Sequence, residues 1–150
     1  MSAHHHELHF MSTIQFAVTD EEIMACYPAL AELRPHLKRE DFLERVRRQQ
    51  NQGYHLVYLA DNNMVKAAAG FRLSETLAWG KILYIDDLIT LVAERRQGLS
   101  GQLLDWLIAY AQMNHCDELH LDSGHHRHDA HRLYLNKRLR ITTHHFSRQL

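Results

Sequence analysis

Thr90-Leu-Val-Ala-Glu-Arg-Arg-Gln-Gly-Leu-Ser-Gly-Gln-Leu-Leu104 decides how this chain is read. A strand-like apolar run, Ile82-Leu-Tyr-Ile-Asp-Asp-Leu-Ile-Thr90, leads into it, and an apolar helical run through Trp106 and Ile108 leaves it. The order is strand, basic glycine-containing loop, helix. Backbone N–H groups in the first turn of a helix lack intrahelical partners, and the helix dipole adds partial positive charge there. Such a helix start suits an anion, and here a pyrophosphate. Gly98 and Gly101 carry no Cβ, so the backbone can approach the anion closely. Arg95 and Arg96 add full charges whose forks can hold phosphate oxygens. No Gly-Lys-Ser/Thr follows, so this is not a Walker loop, and the glycine spacing is not that of a dinucleotide-binding turn.

Working outward, 150 residues correspond to one domain by size. Hydrophobic residues make up 45%, enough to build a core. With 17 basic and 18 acidic residues the net charge is −1, which argues against a nucleic-acid partner. Apolar runs are short and interrupted by charge, so no membrane span is expected. Cys26 and Cys116 are far apart and form no metal or redox spacing; a cytoplasmic location is the default expectation. Residues 1–12 have no signal-peptide character and read as a flexible extension, with Met11 a candidate original start. Residues 13–150 form the single domain.

Thr13 to Val18 alternates as a strand. Thr19 with Glu22 spells a capping box, and Pro28 should kink or restart the helix that follows. A second helix spans about 40–52. Strands follow at 54–60 and 64–73, joined by a hairpin turn at Asp61-Asn62-Asn63. The run Ala67-Ala-Ala-Gly70 is unusually small and suggests close approach of another element. After the strand at 81–90 come the motif helix (98–113), a strand (118–122), a helix (128–139) and a closing strand (141–150). The order β α α β β β α β α β predicts an α/β (α+β) fold. Its mixed, mostly antiparallel central sheet is flanked by helices, with a parallel step where a helix crosses.

Arg95-x-x-Gly98-x-Ser100 resembles the acyl-CoA signature of the GNAT N-acetyltransferases, Arg/Gln-x-x-Gly-x-Gly/Ala, with Ser100 where Gly or Ala is usual. The element order is also that family's, over nearly the whole chain beyond residue 12. The resemblance implies the acyl-CoA N-acyltransferase fold and acetyl-CoA as co-substrate, with no metal. Its pyrophosphate would lie on Arg95, Arg96, Gln97, Gly98, Leu99, Ser100 and Gly101. It further implies that the strand at Leu88-Ile89-Thr90 splays from its neighbour and pairs with the pantetheine chain. Ser123 stands at a common cofactor-contact position, usually Asn.

Two segments resemble the family's catalytic parts. Tyr84-Ile-Asp86-Asp87 is similar to the Tyr-hydrophobic-Glu-Asp of members acting on polyamines and related amines. By that resemblance Asp86 is the candidate general base or ammonium anchor. Asp87 and Tyr84 are candidates for contact with the acceptor. Alternation on a regular strand would send Asp86 and Asp87 to opposite faces. Ala130-His-Arg-Leu-Tyr134 resembles the family's C-terminal segment, which makes Tyr134 the candidate proton donor to the departing thiolate. Arg138 stands where that segment has Gly. Arg34 and His36, in the loop between the first helices, are candidates for acceptor contact. The basic run from Arg45 to Arg48 borders the same groove or is a solvated face.

Fourteen histidines is a high count, with clusters at 4–6, 125–128 and 144–145. Their spacing fits no standard zinc pattern, and surface histidines are the expectation. The sequence thus predicts an acetyl-CoA-dependent N-acetyltransferase. A primary amine, a small cationic one, would attack directly in a ternary complex. A protein N-acetyltransferase and a non-catalytic acyl-CoA-binding or regulatory module are the alternatives. Homodimerisation through the last strand, at His144, His145 and Phe146, is a further expectation.

Overall fold

The computed structural model describes residues 14–150. The expected N-terminal extension, Met11, Thr13 and the His4-His5-His6 run lie outside the described residues. The chain divides into two compact units, one ending at His120 and the other running Leu121–Leu150.

In the first unit, β1 (Ile14–Phe16) leads to α1 (Asp20–Ala25), α2 (Tyr27–Leu33) and α3 (Arg39–Gln50). β2 (Tyr54–Asp61), β3 (Met64–Thr76) and β4 (Gly80–Thr90) follow as a meander. After a 3₁₀ turn at Val92–Glu94, α4 (Leu99–Met113) leads to β5 (Glu118–Leu121), whose last residue begins the second unit. The sheet order is β1-β2-β3-β4-β5, and the pairs from β1 to β4 are antiparallel. The second unit holds α5 (His128–Asn136).

Local sequence explains these boundaries. The Thr19 hydroxyl accepts from Glu22 N–H at 3.1 Å, and Glu22 Oε1 accepts from Thr19 N–H at 3.0 Å. Such a cap contributes about 1 kcal/mol. Pro28 sits in the first turn of α2, where its missing donor costs nothing, so the expected kink is a break into two helices. Asn62 and Asn63 both have positive φ, and Asp61 pairs with Met64. This is the two-residue turn whose twist matches a hairpin.

The sheet buries both faces. Ile23, Cys26, Leu30, Phe42 and Val46 pack with Tyr54, Leu56 and Ala68 on the side of α1–α3. Phe71, Phe16, Trp106 and Tyr110 form an aromatic cluster where α4 meets β1 and β3. On the α1–α3 side Cys26 is fully buried, and burial pushes its thiol up to about 12. It is inert at neutral pH.

The expected last strand does not form. Residues 139–150 have no regular structure, and Ile141, Phe146 and Leu150 are exposed. A strand persists when one of its faces is buried, and these side chains bury none. His144, His145 and Phe146, named for a dimer interface, are therefore exposed coil.

Arg138 adopts the left-handed conformation, φ +67. Leu139 N–H donates to Tyr134 O at 3.0 Å and Arg138 N–H to Leu135 O at 3.0 Å. This is a Schellman motif with arginine at the position that favours glycine. His115 ends α4 in the same way, φ +59. Relief of left-handed strain, offset by glycine's greater unfolded-state freedom, makes Arg138→Gly stabilising by about 0.5–1 kcal/mol. A chemical-denaturation midpoint that rises with unchanged slope checks it.

Candidate active site

α2, α3 and β4 enclose a cavity of about 460 Å³, within the range of small-molecule sites. Its apolar wall is Leu30, Leu37, Phe42 and Val46; Arg34, Arg45, Asp86 and Asp87 supply charge. A β-bulge makes the acidic side. Gly70 pairs with Asp87 and Phe71 with Ile85, which leaves Asp86 as an extra residue in β4. The bulge overrides the two-residue alternation, so Asp86 and Asp87 line the same cavity rather than opposite faces.

The two carboxylates are held differently. Asp87 Oδ1 accepts from Arg34 Nε at 3.2 Å, and its Oδ2 accepts from the Tyr54 hydroxyl at 2.8 Å. Asp86 Oδ2 accepts from Arg72 Nε at 2.9 Å. Its Oδ1 accepts no hydrogen bond among the described residues. Arg34 also donates to the Asp86 carbonyl at 2.9 Å, clamping the bulge. Burial raises the Asp86 pKa above the ordinary aspartate value, against the opposing pull of Arg72. Tyr54 is raised well above the tyrosine range by burial and by the Asp87 charge, so its phenol stays a donor.

Gly70 makes this arrangement fit. A Cβ there would overlap the Tyr54 ring, so the small run in β3 gives Tyr54 its path to Asp87. Arg72 lies over the Tyr54 ring at 5.5 Å and donates to Gln49 Oε1 at 2.9 Å. Tyr54 and Arg72 escape sequence reading because a tyrosine and an arginine on alternating strands look ordinary. The one available signal was the glycine beside them.

Further along β4, Leu88, Ile89 and Thr90 pair with Ala69, Ala68 and Ala67 of β3. On β4's other side, Asp117 N–H, just ahead of β5, donates to Lys81 O at 2.7 Å. Four residues of strand reach about 13 Å. β5 therefore flanks only the early part of β4 and does not extend to Leu88–Thr90.

After β4 the chain turns through an exposed, basic loop into α4. Gly98 caps α4 in the left-handed conformation, φ +73, with open space where a Cβ would stand. Arg95, Arg96 and Gln97 are exposed, and neither arginine side chain has a hydrogen bond or ion pair among the described residues. Leu99 is buried beneath the loop. Ser100, where Gly or Ala was expected, turns its hydroxyl to Thr90 Oγ1 at 2.6 Å. That bond ties the end of β4 to the first turn of α4 and leaves the backbone amides there facing out. Open amides, an unobstructed glycine and two unpaired guanidiniums fit a diphosphate.

In the second unit, Tyr134 is 8% exposed, and its hydroxyl makes no hydrogen bond among the described residues. Burial raises its pKa, with Arg127 opposing, so it is a protonated phenol at neutral pH. The Ser123 hydroxyl is buried with no partner among the described residues, an orphan that a ligand acceptor or donor would satisfy.

The remaining candidates separate. Arg47 pairs with Asp20 and Arg48 with Glu44, leaving Arg45 at the cavity. His36 lines it too. His145 lies 3.5 Å from Asp122, and among the described residues no group of three metal-ligating side chains forms. No helix among them is long and apolar enough to cross a membrane.

The profile of the Acetyltransferase (GNAT) family matches residues 16–139. An uncharacterized N-acetyltransferase of Bacillus subtilis, YhdJ, is 34% identical over 118 residues, covering 78% of this chain and 83% of the relative. Among solved structures, a transcriptional regulator from Bacillus halodurans superposes with a TM-score of 0.82 at 18% identity, over 92% of this chain and 99% of that one. A GNAT family acetyltransferase from Staphylococcus aureus gives 0.77 at 16%, over 91% and 97%. At such identities these two speak for the fold alone, the acyl-CoA N-acyltransferase fold.

Proposed function

The chain belongs to the GNAT family of acetyltransferases, and from that premise we propose that it transfers the acetyl group of acetyl-CoA to the primary amine of a small molecule. One observation carries this reading. The cavity acid Asp86, the strand end Leu88–Thr90 and the anion loop Arg95–Gly101 follow one another along β4 and into α4. An amine in the cavity thus sits two residues upstream of the backbone edge that would receive the pantetheine chain.

In this reading the amine loses a proton to the free Oδ1 of Asp86, directly or through water, and its nitrogen attacks the thioester carbonyl. The C–N bond forms and the C–S bond breaks. Ile89 or Leu88 N–H is the proposed donor to the tetrahedral oxyanion. Tyr134 gives its proton to the leaving thiolate, a role carried over from the family resemblance. Asp87 holds Tyr54 and Arg34, so it shapes the acceptor wall rather than moving protons; Tyr84 and Arg34 border the acceptor. Ser123 is a proposed contact to the cofactor. Holding both substrates in one complex supplies much of the rate. A cytoplasmic location accords with this reading.

The diphosphate assignment has a direct test. Arg95→Ala with Arg96→Ala is expected to weaken acetyl-CoA binding about 10-fold, modest because both side chains are exposed. Binding of S-acetylpantetheine, which lacks the diphosphate, should not change. Equal losses for both ligands in calorimetry would sink the assignment.

A further inference from the structure

The cavity acids do not leave it negative. Asp86 is paired with Arg72 at 2.9 Å and Asp87 with Arg34 at 3.1 Å. A third guanidinium, Arg45, also lines the cavity, and it has no ion pair or hydrogen bond among the described residues. His36 stands on the same wall and Gln49 lines the cavity nearby. With Arg72 counted as the partner of Asp86 from beyond the lining, two carboxylates face three guanidiniums, an excess of one positive charge before any histidine is protonated. A polyamine, carrying only positive charge, would meet the unpaired Arg45 with nothing to offset it, and such a like-charge contact discriminates against a ligand.

We infer that the acceptor is an amino-carboxylate, whose carboxylate pairs with Arg45 while its amine reaches Asp86 on β4. The inference rests on the amine-acetyltransferase reading for the reaction, but binding alone tests it. A guanidinium fork matches a carboxylate in two parallel hydrogen bonds, so an unpaired arginine at a cavity wall selects for that group. The free Oδ1 of Asp86 supplies the opposite pole. The acid and base of the ligand then lie along a cavity whose other walls, Leu30, Leu37, Phe42 and Val46, suit a methylene chain between them. This replaces the small cationic amine that the acid pair alone suggests, because sequence reading counts the acids without their arginine partners.

The test uses the full chain and two matched probe pairs, 5-aminopentanoate against pentylamine and lysine against cadaverine. Each pair differs by one carboxylate. Binding by calorimetry and acetylation with acetyl-CoA are measured on the native protein, Arg45→Ala and Arg45→Glu. Arg45 is exposed and unpartnered, so both variants should fold, which circular dichroism verifies. The expected result is at least about a 10-fold preference for the carboxylated member, lost in Arg45→Ala and inverted in Arg45→Glu. Equal treatment of each pair, a preference for the diamine, a preference indifferent to Arg45, or no binding of any probe would overturn the inference. Carboxylate-dependent binding with no acetylated product would uphold it and sink the acetyl-transfer reading instead.

Discussion

Asp86→Asn is expected to lower kcat/KM by about 10²- to 10³-fold, the usual range for losing a positioned general base. Asn keeps an oxygen to accept from Arg72 and keeps the volume, so the bulge and the Arg34 clamp on the Asp86 carbonyl should survive. The affinity for acetyl-CoA should not change. The pH profile separates a base from a mere prop. In the proposed mechanism the carboxylate is the active form, so kcat/KM is expected to rise as pH climbs through the Asp86 pKa. Burial sets that pKa above the ordinary aspartate value of about 3.9. The native acidic limb is therefore expected above that of an exposed aspartate, and it should vanish in Asp86→Asn. A variant with full activity, or one whose acidic limb persists, would remove Asp86 from the chemistry.

Tyr134→Phe is expected to lower kcat by about 10²-fold while acetyl-CoA affinity is retained. The argument is chemical. A thiolate expelled into a buried site needs a proton, and Tyr134 is a buried phenol kept protonated by burial, with no partner among the described residues to compete for its hydroxyl. Phe fills the same volume, so folding should be spared. An S-acetyl donor whose leaving thiol is more acidic should recover part of the loss, because it departs without help. A uniform loss across donors, or a loss matched by lower thermal stability, would point to packing instead.

Much of the fold was legible because its signals are local. The Thr19–Glu22 box, the Asn62-Asn63 turn and the start of α4 at Gly98 each depend on a few neighbouring residues. The last strand was misread for the opposite reason. The β-branched run at Ile141 carries strand propensity, but strand formation is decided by a buried face that the run itself does not encode. The site shows the same division. The proposed anion loop is a contiguous motif, visible in the sequence itself. The geometry of its acids depends on Gly70, Tyr54, Arg72 and Arg34, brought together from β3, β2 and the end of α2. Alternation predicts opposite faces for Asp86 and Asp87, and only the register of β3 against β4 reveals the bulge that puts them on one. The charge balance of the cavity is likewise a long-range property, invisible while the two acids are read without the arginines that face them.

The central claim is direct acetyl transfer to an amine within one complex. The most direct measurement is the initial rate of CoA release with acetyl-CoA and an amino-carboxylate both varied, with the N-acetyl product identified by mass. Intersecting double-reciprocal lines with one acetyl-amine formed per thiol released are the expected result. Parallel lines, the mark of a covalent acetyl-enzyme, or thiol release that does not depend on amine would contradict the account.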